Sequence, residues 1–473
     1  MPGDAGTEPL WTAAEVLTAT GGRLEGLAFA ATGVTFDSRE VRPGDLFVAL
    51  KGVRDGHDFV DQAFKAGAVA ALTEKPMDGG ACVIVGDTLK GLEALGAYAR
   101  DRAPEVRRGA VTGSVGKTSV TQAIRAGLAL AGPAHSSVKS FNNHIGVPLT
   151  LARMHRSTQR AVFEIGMNHP GEISPLAKMV QPHAACVTNV GPVHTEAFED
   201  GEAGVARAKA EIFEGLGPGG VAVINADIPW FDVLKQAALR HGARVMSFGS
   251  DETCDARLLD FQPEPNGARV LARIWGHDYV FTLAQSGFHW GLNSLAVLLM
   301  LDALDVPTET GLAALSEFAP LAGRGREILV ALEDGAFTLV DESYNANPLS
   351  MKATLASLGA RRPEDGGRRI VALTDMLELG PESARHHASL AQSIEAADID
   401  LVFLAGPQMK HLWEALPKTR RGGWAPDAAE IAPEAARAVR PNDLVMVKGS
   451  NGSKASTIAR ALEKLDAAYG EQA

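Results

Sequence analysis

Short apolar runs alternate with helical segments along most of the chain after Gly109. The first runs are GAVT, RAVFEIG, AACVTNVG and GVAVIN; beyond FAPLAGRGRE (318–327) come FTLVDES, RRIVALTD, DLVFLAG and DLVMVKG. Alternating strands and helices favour mostly parallel sheets with helices on both faces. The chain is therefore predicted to be an α/β protein, and the restart after residue 327 predicts a further α/β unit.

The length of 473 residues predicts about three domains. Residues 1–104 mix strand-like runs such as DLFVAL and ACVIVG with alanine-rich helical stretches, and RDRAPEVRRG (100–109) is typical of a linker. Boundaries are predicted near 105 and 319. They give an N-terminal α/β domain (1–104), a central domain with a mostly parallel sheet (105–318) and a C-terminal Rossmann-like α/β domain (319–473).

Composition argues against several classes of protein. The net charge is −12, whereas broad nucleic-acid binding needs an electropositive face. The most apolar stretch, SLAVLLMLDAL (294–304), is too short to span a bilayer and predicts a buried helix, and the N-terminus shows no signal-peptide pattern. Cys82, Cys186 and Cys254 are widely spaced, which is typical of a reduced compartment. We expect a cytoplasmic protein without a membrane span.

The segment GAVTGSVGKTSVTQAI (109–124) places a glycine-rich turn between a predicted strand and a predicted helix. The usual phosphate-binding loop is G-x-x-x-x-G-K-[ST], but here Val111 occupies the position of the first glycine and Gly113 follows it. A strand, a glycine turn and a helix N-terminus direct N–H groups at an anion. We predict that the turn binds ATP, with Lys117 balancing phosphate charge and Thr118 Oγ1 ligating Mg²⁺. The alternative is an ordinary βα turn with a solvated lysine. The predicted nucleotide contacts in this loop are Gly113, Ser114, Val115, Gly116, Lys117, Thr118 and Ser119.

Further polar residues lie near the ends of predicted strands. Glu164 closes the strand in AVFEIGMNHPGEI, His194 follows the strand in CVTNVGPVHTEAF, and Lys209 lies further on in ARAKAEIF. Because the carboxyl ends of parallel strands meet at one edge of a sheet, Glu164 and His194 are expected to face the same crevice as the phosphate loop. Glutamate and histidine beside a triphosphate are suitable metal ligands. Taken singly, Glu164 could cap a helix, His194 could be structural and Lys209 could be a surface lysine.

Together these segments resemble the Mur ligases, the ATP-dependent amide ligases that build the stem peptide of peptidoglycan. TGSVGKTS is similar to the family's TGxxGKT/S loop, so the shifted glycine is a family variant of the phosphate loop. The resemblance extends over nearly the whole chain. It is carried by DSREVRPGDLFVALKG (37–52), DGHDF (55–59), SFNNHIGVPLTL (140–151), EIGMNHPGEI (164–173), TNVGPVHTEAF (188–198), AKAEIF (208–213), DESYNANPLSMKATL (341–355) and LTDMLELG (373–380).

The resemblance implies a reaction. YNANP and DMLELG resemble the branch of the family that uses ATP to join D-Ala-D-Ala to UDP-MurNAc-tripeptide, releasing ADP and phosphate. A monomer that closes its domains around the substrates is also implied. Three alternatives stay open: a sibling ligase that adds the third residue of the stem peptide, a folylpolyglutamate synthase, and a P-loop nucleotide sensor without chemistry. The chain lacks the DNPR motif of the diaminopimelate-adding sibling.

The same resemblance implies contacts to the nucleotide and substrates. Lys117 and Arg324 would meet the phosphates, with Arg326 as a rival to Arg324, and Asn293 would contact the adenine or ribose. The other implied contacts are Asp341 on the nucleotide side, Ser38 and Arg39 for the UDP-sugar, Asn142 and Asn143 for the muramyl-peptide, and Tyr344, Asn345 and Asn347 for the side that receives D-Ala-D-Ala.

Two Mg²⁺ ions are implied as well. Thr118 and Glu164 would ligate one of them, and the second would lie near His194. Lys209 matches the family lysine that reacts with CO₂ to form a carbamate. That modification replaces a cation with an anion able to ligate or position the second metal ion. Lys117, Glu164, His194, Lys209 and Arg324 are therefore the predicted catalytic set.

Three positions depart from the family pattern. His144 replaces an acidic residue of NNEIGVP, Glu342 stands where aspartate is common before SYNAN, and Trp290 in GFHWGLN replaces an asparagine. The glutamate changes reach but not charge. His144 and Trp290 bear on the contacts predicted on the nucleotide side, whereas His289 and Asn293 match the family.

Overall fold

The computed structural model describes residues 8–137, 140–192, 195–264, 267–363 and 366–466. Within these ranges the chain forms three sheets, built from residues 23–84, 107–283 and 326–448, and a short antiparallel strand pair near the N-terminus. The predicted boundaries near 105 and 319 lie in the chain between these sheets; as limits of independent domains they stay predictions. His194, a predicted metal ligand, lies outside the described residues.

The N-terminal region is a small α/β unit. Its elements are β1 Trp11–Thr12, α1 Ala13–Thr20, β2 Arg23–Glu25, β3 Ala30–Ala31, β4 Gly33–Thr35, β5 Asp45–Val48, α2 Val60–Lys65, β6 Ala70–Thr73, β7 Ala81–Ile84 and α3 Thr88–Asp101. The sheet order is β2-β7-β6-β5-β4; β4 to β7 run parallel and β2 pairs antiparallel with β7. The predicted runs DLFVAL and ACVIVG form the buried strands β5 and β7.

The central region is a large sheet in which the strand before the phosphate loop is internal. Its elements are β8 Arg107–Thr112, α4 Lys117–Leu130, β9 Ala134–Ser136, α5 Gly146–Ala152, β10 Arg160–Glu164, α6 Ile173–Val180, β11 Ala184–Val187, α7 Glu202–Ala210, β12 Val221–Asn225, α8 Phe231–Arg240, β13 Arg244–Gly249, β14 Ala256–Glu264, β15 Gly267–Ile274, β16 His277–Leu283, α9 His289–Ala303 and α10 Thr308–Glu317. The sheet order is β16-β15-β14-β13-β12-β11-β8-β10-β9. From β14 to β9 neighbouring strands run parallel, as predicted. The antiparallel meander of β14, β15 and β16 is an addition that the strand–helix pattern did not predict.

Burial on both faces explains the apolar runs of the central sheet. Alternate residues of β8, β10, β11 and β12 belong to two hydrophobic clusters, one containing α4 and α9 and the other containing α6, α7 and α8. Strands covered by helices on both faces are apolar on both faces. The stretch SLAVLLMLDAL lies in α9, and most of it is buried, as predicted. Over the described ranges, the structure contains no helix with the length and apolar character needed to cross a bilayer.

The C-terminal region repeats the α/β arrangement. Its elements are β17 Arg326–Leu332, β18 Gly335–Glu342, α11 Pro348–Gly359, β19 Arg369–Thr374, α12 Ser383–Ala396, β20 Leu401–Ala405, α13 Met409–Ala415, β21 Arg421–Ala425, α14 Ala428–Ala438, β22 Leu444–Lys448 and α15 Ser456–Glu463. The sheet order is β17-β18-β22-β19-β20-β21, with only the β17–β18 pair antiparallel among the described strands. The four predicted runs form β18, β19, β20 and β22.

The N-terminal region is fixed to the central region by an aromatic and polar joint. The indole N–H of Trp11 donates to the carbonyl oxygen of Ala152, the last residue of α5, at 2.8 Å. The Arg102 guanidinium lies 4.2 Å from the centroid of the Trp11 ring, a cation–π contact. The helices α3 and α5 pack along each other beside this joint. The N-terminal sheet is thereby attached to the central region through α5.

Candidate active site

A cavity of about 490 Å³ lies between the central and C-terminal sheets. Its central wall contains the phosphate loop, the last residue of β10 and residues that follow β9 and β11. Its C-terminal wall contains residues at or beyond the ends of β18, β19 and β22. In parallel sheets, loops at the carboxyl ends of strands gather at one edge, where ligands bind. The ligand-binding edges of the central and C-terminal sheets therefore face one another across this cavity.

The phosphate loop has the backbone geometry of an anion cradle. Gly113 and Gly116 have φ values of 152° and 84°, and Gly116 directly precedes α4. Ser114 joins the loop to the strand end beyond β11, because its Oγ donates to the carbonyl oxygen of Gly191 at 3.1 Å and accepts from the Gly191 N–H at 2.9 Å. The positive φ values and the close approach of neighbouring backbone make glycine the fitting residue at these two positions.

Replacing Gly113 with alanine is expected to destabilise the protein by at least about 2 kcal/mol. An added Cβ would lie 2.0 Å from Thr188 Oγ1, so the strand end or the loop has to move. Urea unfolding measures the loss. Gly217→Ala is the matched control, because an added Cβ there meets nothing within 4 Å. Equal stability of the two variants would contradict the described loop geometry.

Lys117 and Glu164 line the cavity beside this loop. The Lys117 ammonium donates to the carbonyl oxygen of Gly113 at 2.6 Å. Glu164 is 1% exposed, and its Oε1 accepts from the Asn142 side-chain amide at 2.7 Å. Loss of hydration lowers the pKa of Lys117, while the negative charge of Glu164 opposes that shift. The loop lysine and the strand-end glutamate therefore act on each other electrostatically.

The second carboxylate oxygen of Glu164 suits a divalent cation. Glu164 Oε2 is buried and has no hydrogen-bond partner among the described residues. Thr118, in the first turn of α4, lines the same cavity and offers a hydroxyl oxygen. Mg²⁺ prefers oxygen ligands and is usually held by one or two protein groups together with substrate phosphates. In the part of the chain that the structure describes, no group of three His, Cys, Asp or Glu side chains could hold a metal alone. This donor set fits an ion shared with a nucleotide.

Lys209, near the C-terminal end of α7, is a deeply buried amine. Only 2% of its surface is exposed. Burial lowers the pKa of Lys209 well below its ordinary value, and repulsion from Lys117 lowers it further. The neutral amine is thus favoured, which is the form that can react with CO₂. The surface-lysine alternative is wrong, because this side chain is buried and lies near Lys117 of the phosphate loop.

Arg324 and Tyr344 join the two walls of the cavity. The Arg324 guanidinium donates to Thr118 Oγ1 at 3.0 Å and lies 4.0 Å from the centroid of the Tyr344 ring. Tyr344 in turn shares a hydrogen bond of 2.6 Å between its hydroxyl and Ser140 Oγ. Arg326, the rival of Arg324, begins β17 and donates to Glu463 at 3.4 Å, away from the cavity wall. The geometry therefore favours Arg324 for phosphate contact.

The sequence reasoning missed Lys448, the last residue of β22. It lines the cavity although only 2% of its surface is exposed. Its Nζ donates to Glu342 Oε2 and to the carbonyl oxygen of Asn345, each at 3.1 Å. The signal was available, because Lys448 closes the buried strand of DLVMVKG just as Glu164 closes the strand of RAVFE. Ser140, Asn189 and His289 also line the cavity and were not among the predicted contacts.

Asn142, Asn293, Asn345 and Asn347 line the cavity, as do Lys117, Arg324 and Tyr344. The Asn347 side chain also caps α11, because its Oδ1 accepts from the Ser350 N–H at 2.8 Å. This cap is the turn role that asparagine commonly takes. A role of these residues in substrate contact stays a prediction.

Other predicted contact residues lie elsewhere. Asp341 accepts from the backbone N–H of Gly323 at 3.0 Å, so its carboxylate supports the loop that carries Arg324. Asn143 Oδ1 accepts from the N–H of Gly146 at 2.9 Å at the start of α5. Ser38 and Arg39 lie in the N-terminal region, where Ser38 Oγ donates to Gln62 and Arg39 pairs with Asp37. None of these four residues is on the cavity wall within the described ranges. Their predicted roles stay predictions.

The three departures from the family pattern have different surroundings. His144 is exposed. Trp290 is 3% exposed and packs against Phe318, with ring centroids 5.7 Å apart, so it fills the core at the start of α9. Glu342 pairs with Lys448, as described above. The longer reach of glutamate is used in that ion pair.

Family models match most of the chain. The Mur ligase middle domain matches residues 111–301, and the Mur ligase glutamate ligase domain matches residues 325–451. The catalytic domain of the Mur ligase family matches residues 30–114. Together the matches span most strands of the three sheets and most of the residues that line the cavity.

Relatives similar over their full length carry one name. UDP-N-acetylmuramoyl-tripeptide–D-alanyl-D-alanine ligase of Escherichia coli (strain K12) is 34% identical over 448 residues, which cover 94% of this chain and 96% of that protein. A crystal structure of MurF from Acinetobacter baumannii has a TM-score of 0.84 at 29% identity and covers 96% of this chain and 99% of that one. The structure of MurF ligase from Thermotoga maritima in complex with ADP has a TM-score of 0.77 at 24% identity, covering 93% and 98% of the two chains, so the fold is shared with it as well.

Proposed function

Because the chain belongs to the Mur ligase family, we propose that it uses ATP to join D-Ala-D-Ala to UDP-MurNAc-tripeptide, a step of peptidoglycan synthesis. One observation carries the proposal: a single cavity holds a phosphate loop, residues of the YNANP segment and a buried carboxylate, one oxygen of which has no hydrogen-bond partner among the described residues. Relatives similar over nearly their whole length bear the name of this activity, which supports the same conclusion. We further propose that the enzyme works as a monomer in the cytoplasm.

The chemical problem is that a carboxylate is a poor electrophile. In the proposed reaction, an oxygen of the tripeptide carboxylate attacks the γ-phosphorus of ATP, and ADP leaves. The amine of D-Ala-D-Ala then attacks the carbonyl carbon of the acyl phosphate through a tetrahedral intermediate. Inorganic phosphate leaves with the former carboxylate oxygen, and the amine loses its proton. Catalysis of such a transfer is mainly placement and charge neutralisation.

Residues of the cavity would supply both the placement of the substrates and the neutralisation of charge. Lys117 and Arg324 would bind the transferring phosphoryl group and offset its negative charge. Thr118 and Glu164 would hold a Mg²⁺ ion, which when bound polarises phosphoryl oxygens. MurF ligase from Thermotoga maritima, which shares the fold, forms a complex with ADP. Arg324 reaches the cavity from the C-terminal region and donates to Thr118, so its placement depends on the two regions being in contact.

Lys209 has a separate proposed role. Its buried amine would react as the neutral base with CO₂ to give a carbamate, with loss of one proton. The anionic carbamate would ligate or position a second Mg²⁺ together with His194. A protonated Lys209 would instead repel a metal ion and Lys117 alike. The positive charge of Lys117 therefore favours an anionic carbamate at Lys209 over a protonated amine.

The substrates would enter from different regions. Ser38 and Arg39 are proposed contacts of the UDP-sugar, and Asn142 is a proposed contact of the muramyl-peptide near Glu164. Tyr344 and Asn345 would meet the dipeptide on the opposite wall. The electrophile and the amine would thus approach the phosphate loop from two sides.

Phosphate release in the presence of ATP and Mg²⁺ tests the proposed function. We expect release to require both UDP-MurNAc-tripeptide and D-Ala-D-Ala, and to fall to background when either is left out. Release with a single amino acid in place of the dipeptide would instead support a sibling ligase. Release with a folate substrate would support a folylpolyglutamate synthase, and ATP binding without any release would support a nucleotide sensor.

A further inference from the structure

Lys448 is a buried cation for which the proposed reaction has no role. It stands at the end of β22 on the cavity wall, with 2% of its surface exposed. Burying an ammonium group is unfavourable unless it is paired and hydrogen-bonded. Here Glu342 supplies the opposite charge, and the carbonyl oxygen of Asn345 accepts a second hydrogen bond. A buried ion pair on the wall of the proposed active site suggests that Lys448 has a function there.

The sheet sets the position of the ion pair. Glu342 and Lys448 are direct partners in the parallel register of β18 and β22, and each is the last residue of its strand. Three residues beyond Glu342, the chain reaches Asn345. The Lys448 ammonium therefore connects the end of β18, at Glu342, to the loop that follows this strand, at Asn345.

We call residues 344–347 the acceptor loop, because its side chains line the cavity on the proposed dipeptide side. Its first residue, Tyr344, contacts Ser140 across the cavity, and its last residue, Asn347, caps α11. Ser450 Oγ donates to the carbonyl oxygen of Ala346 at 3.2 Å. Lys448 holds the carbonyl of Asn345, next to Tyr344. The strand end 448–450 thus fixes the middle of the acceptor loop.

We propose that Lys448 is a positioning residue for the amine substrate, acting through Glu342 and the backbone of Asn345. The inference rests on the proposed ligase function and adds a residue to it. Without the ammonium, the Asn345 carbonyl oxygen and the Glu342 carboxylate lose the donor that they share. These two negatively charged or partially negative oxygens then repel each other. The acceptor loop then leaves the geometry that orients the dipeptide. The phosphate loop on the opposite wall makes no hydrogen bond to Lys448 among the described residues, so the contacts of that loop to the nucleotide are expected to keep their geometry, and Arg324 keeps its hydrogen bond to Thr118.

Steady-state kinetics of Lys448→Met separates these effects. We expect the KM for D-Ala-D-Ala to rise about tenfold, while the KM values for ATP and UDP-MurNAc-tripeptide change by less than about twofold. Glu342→Gln keeps the shape but weakens the pairing, and it is expected to shift the same KM in the same direction by a smaller factor. Lys418→Met is the matched control, because Lys418 is an exposed lysine of the same region; all three of its KM values are expected to equal those of the wild type.

An unchanged KM for D-Ala-D-Ala, or equal increases in all three KM values, overturns the inference. If Lys448→Met does not fold, as judged by thermal unfolding, the Glu342→Gln values decide by the same criteria. Failure of the proposed function has a different signature: the wild-type protein would release no phosphate in response to D-Ala-D-Ala, which overturns both proposals.

Discussion

Replacing Lys117 with methionine is expected to lower kcat/KM for the ligase reaction about 10³-fold. The ammonium lies at the phosphate loop, and the described structure gives it a backbone carbonyl as acceptor and Glu164 as a nearby opposing charge. Methionine has a similar length but cannot donate to a phosphoryl oxygen. Charge that develops on the phosphoryl group would then be offset only by Arg324 and the metal ion.

The fold is expected to survive this change. Removing the positive charge of Lys117 relieves its repulsion from Arg324 and Lys209 but also removes its attraction to the buried Glu164 carboxylate. Because these effects oppose each other, the thermal unfolding temperature of Lys117→Met is expected to change far less than the activity. Lys90→Met, which alters an exposed lysine of α3, is the control for loss of a positive charge elsewhere. Activity of Lys117→Met near that of Lys90→Met would contradict the assignment of the phosphate loop.

Replacing Lys209 with methionine is expected to lower activity about 10²-fold, the range found when a residue that supports a metal site is lost. Stability is expected to stay equal or to rise, because a buried amine is exchanged for an apolar side chain of similar volume. A loss of activity with no loss of stability distinguishes a chemical role from a structural one. The measurements are phosphate release and urea unfolding of the two proteins.

The pH dependence of stability gives an independent check on Lys209. The pKa of this amine is lower in the folded protein than in the unfolded chain. The unfolded state therefore binds the proton more tightly, and the free energy of unfolding rises with pH up to the ordinary pKa of lysine. Lys209→Met removes that contribution, so its stability advantage over the unmodified wild type is expected to shrink as the pH rises in this range.

Carbamate formation is tested by intact mass and by bicarbonate. Wild-type activity is expected to fall when CO₂ and bicarbonate are removed and to return when bicarbonate is added. The mass measured under native conditions is expected to exceed the sequence mass by one CO₂. An active enzyme with an unmodified Lys209 and no response to bicarbonate would contradict the carbamate, whatever the effect of Lys209→Met.

Much of the fold follows from local sequence signals. The parallel strands of the central and C-terminal sheets are short apolar runs that are buried on both faces, so the strand–helix alternation alone identifies them. The meander β14–β16 has one face less covered, and it is joined by hairpins without intervening helices. Its pattern therefore differs from that of the parallel strands, and the alternation gave no signal for it.

The sequence predicted those site residues that lie at the ends of recognisable strands. Glu164 was identified because it closes a buried strand beside the phosphate loop, and the same rule applied to DLVMVKG would have identified Lys448. The burial of Lys209 was not predictable, because ARAKAEIF gives no hint that this face of α7 lies near the phosphate loop. Arg324 and Thr118 are 206 residues apart, and Ser140 and Tyr344 are 204 apart. Contacts of this kind depend on how the two sheets face each other, which no local pattern specifies.

The central claim is that this cavity transfers a phosphoryl group from ATP to a substrate carboxylate before the amide forms. The most direct measurement uses UDP-MurNAc-tripeptide labelled with ¹⁸O in its terminal carboxylate. If an acyl phosphate forms, each inorganic phosphate released in the presence of D-Ala-D-Ala is expected to carry one labelled oxygen, and the other label stays in the new amide carbonyl. Inorganic phosphate free of ¹⁸O, released alongside the amide product, would contradict the claim.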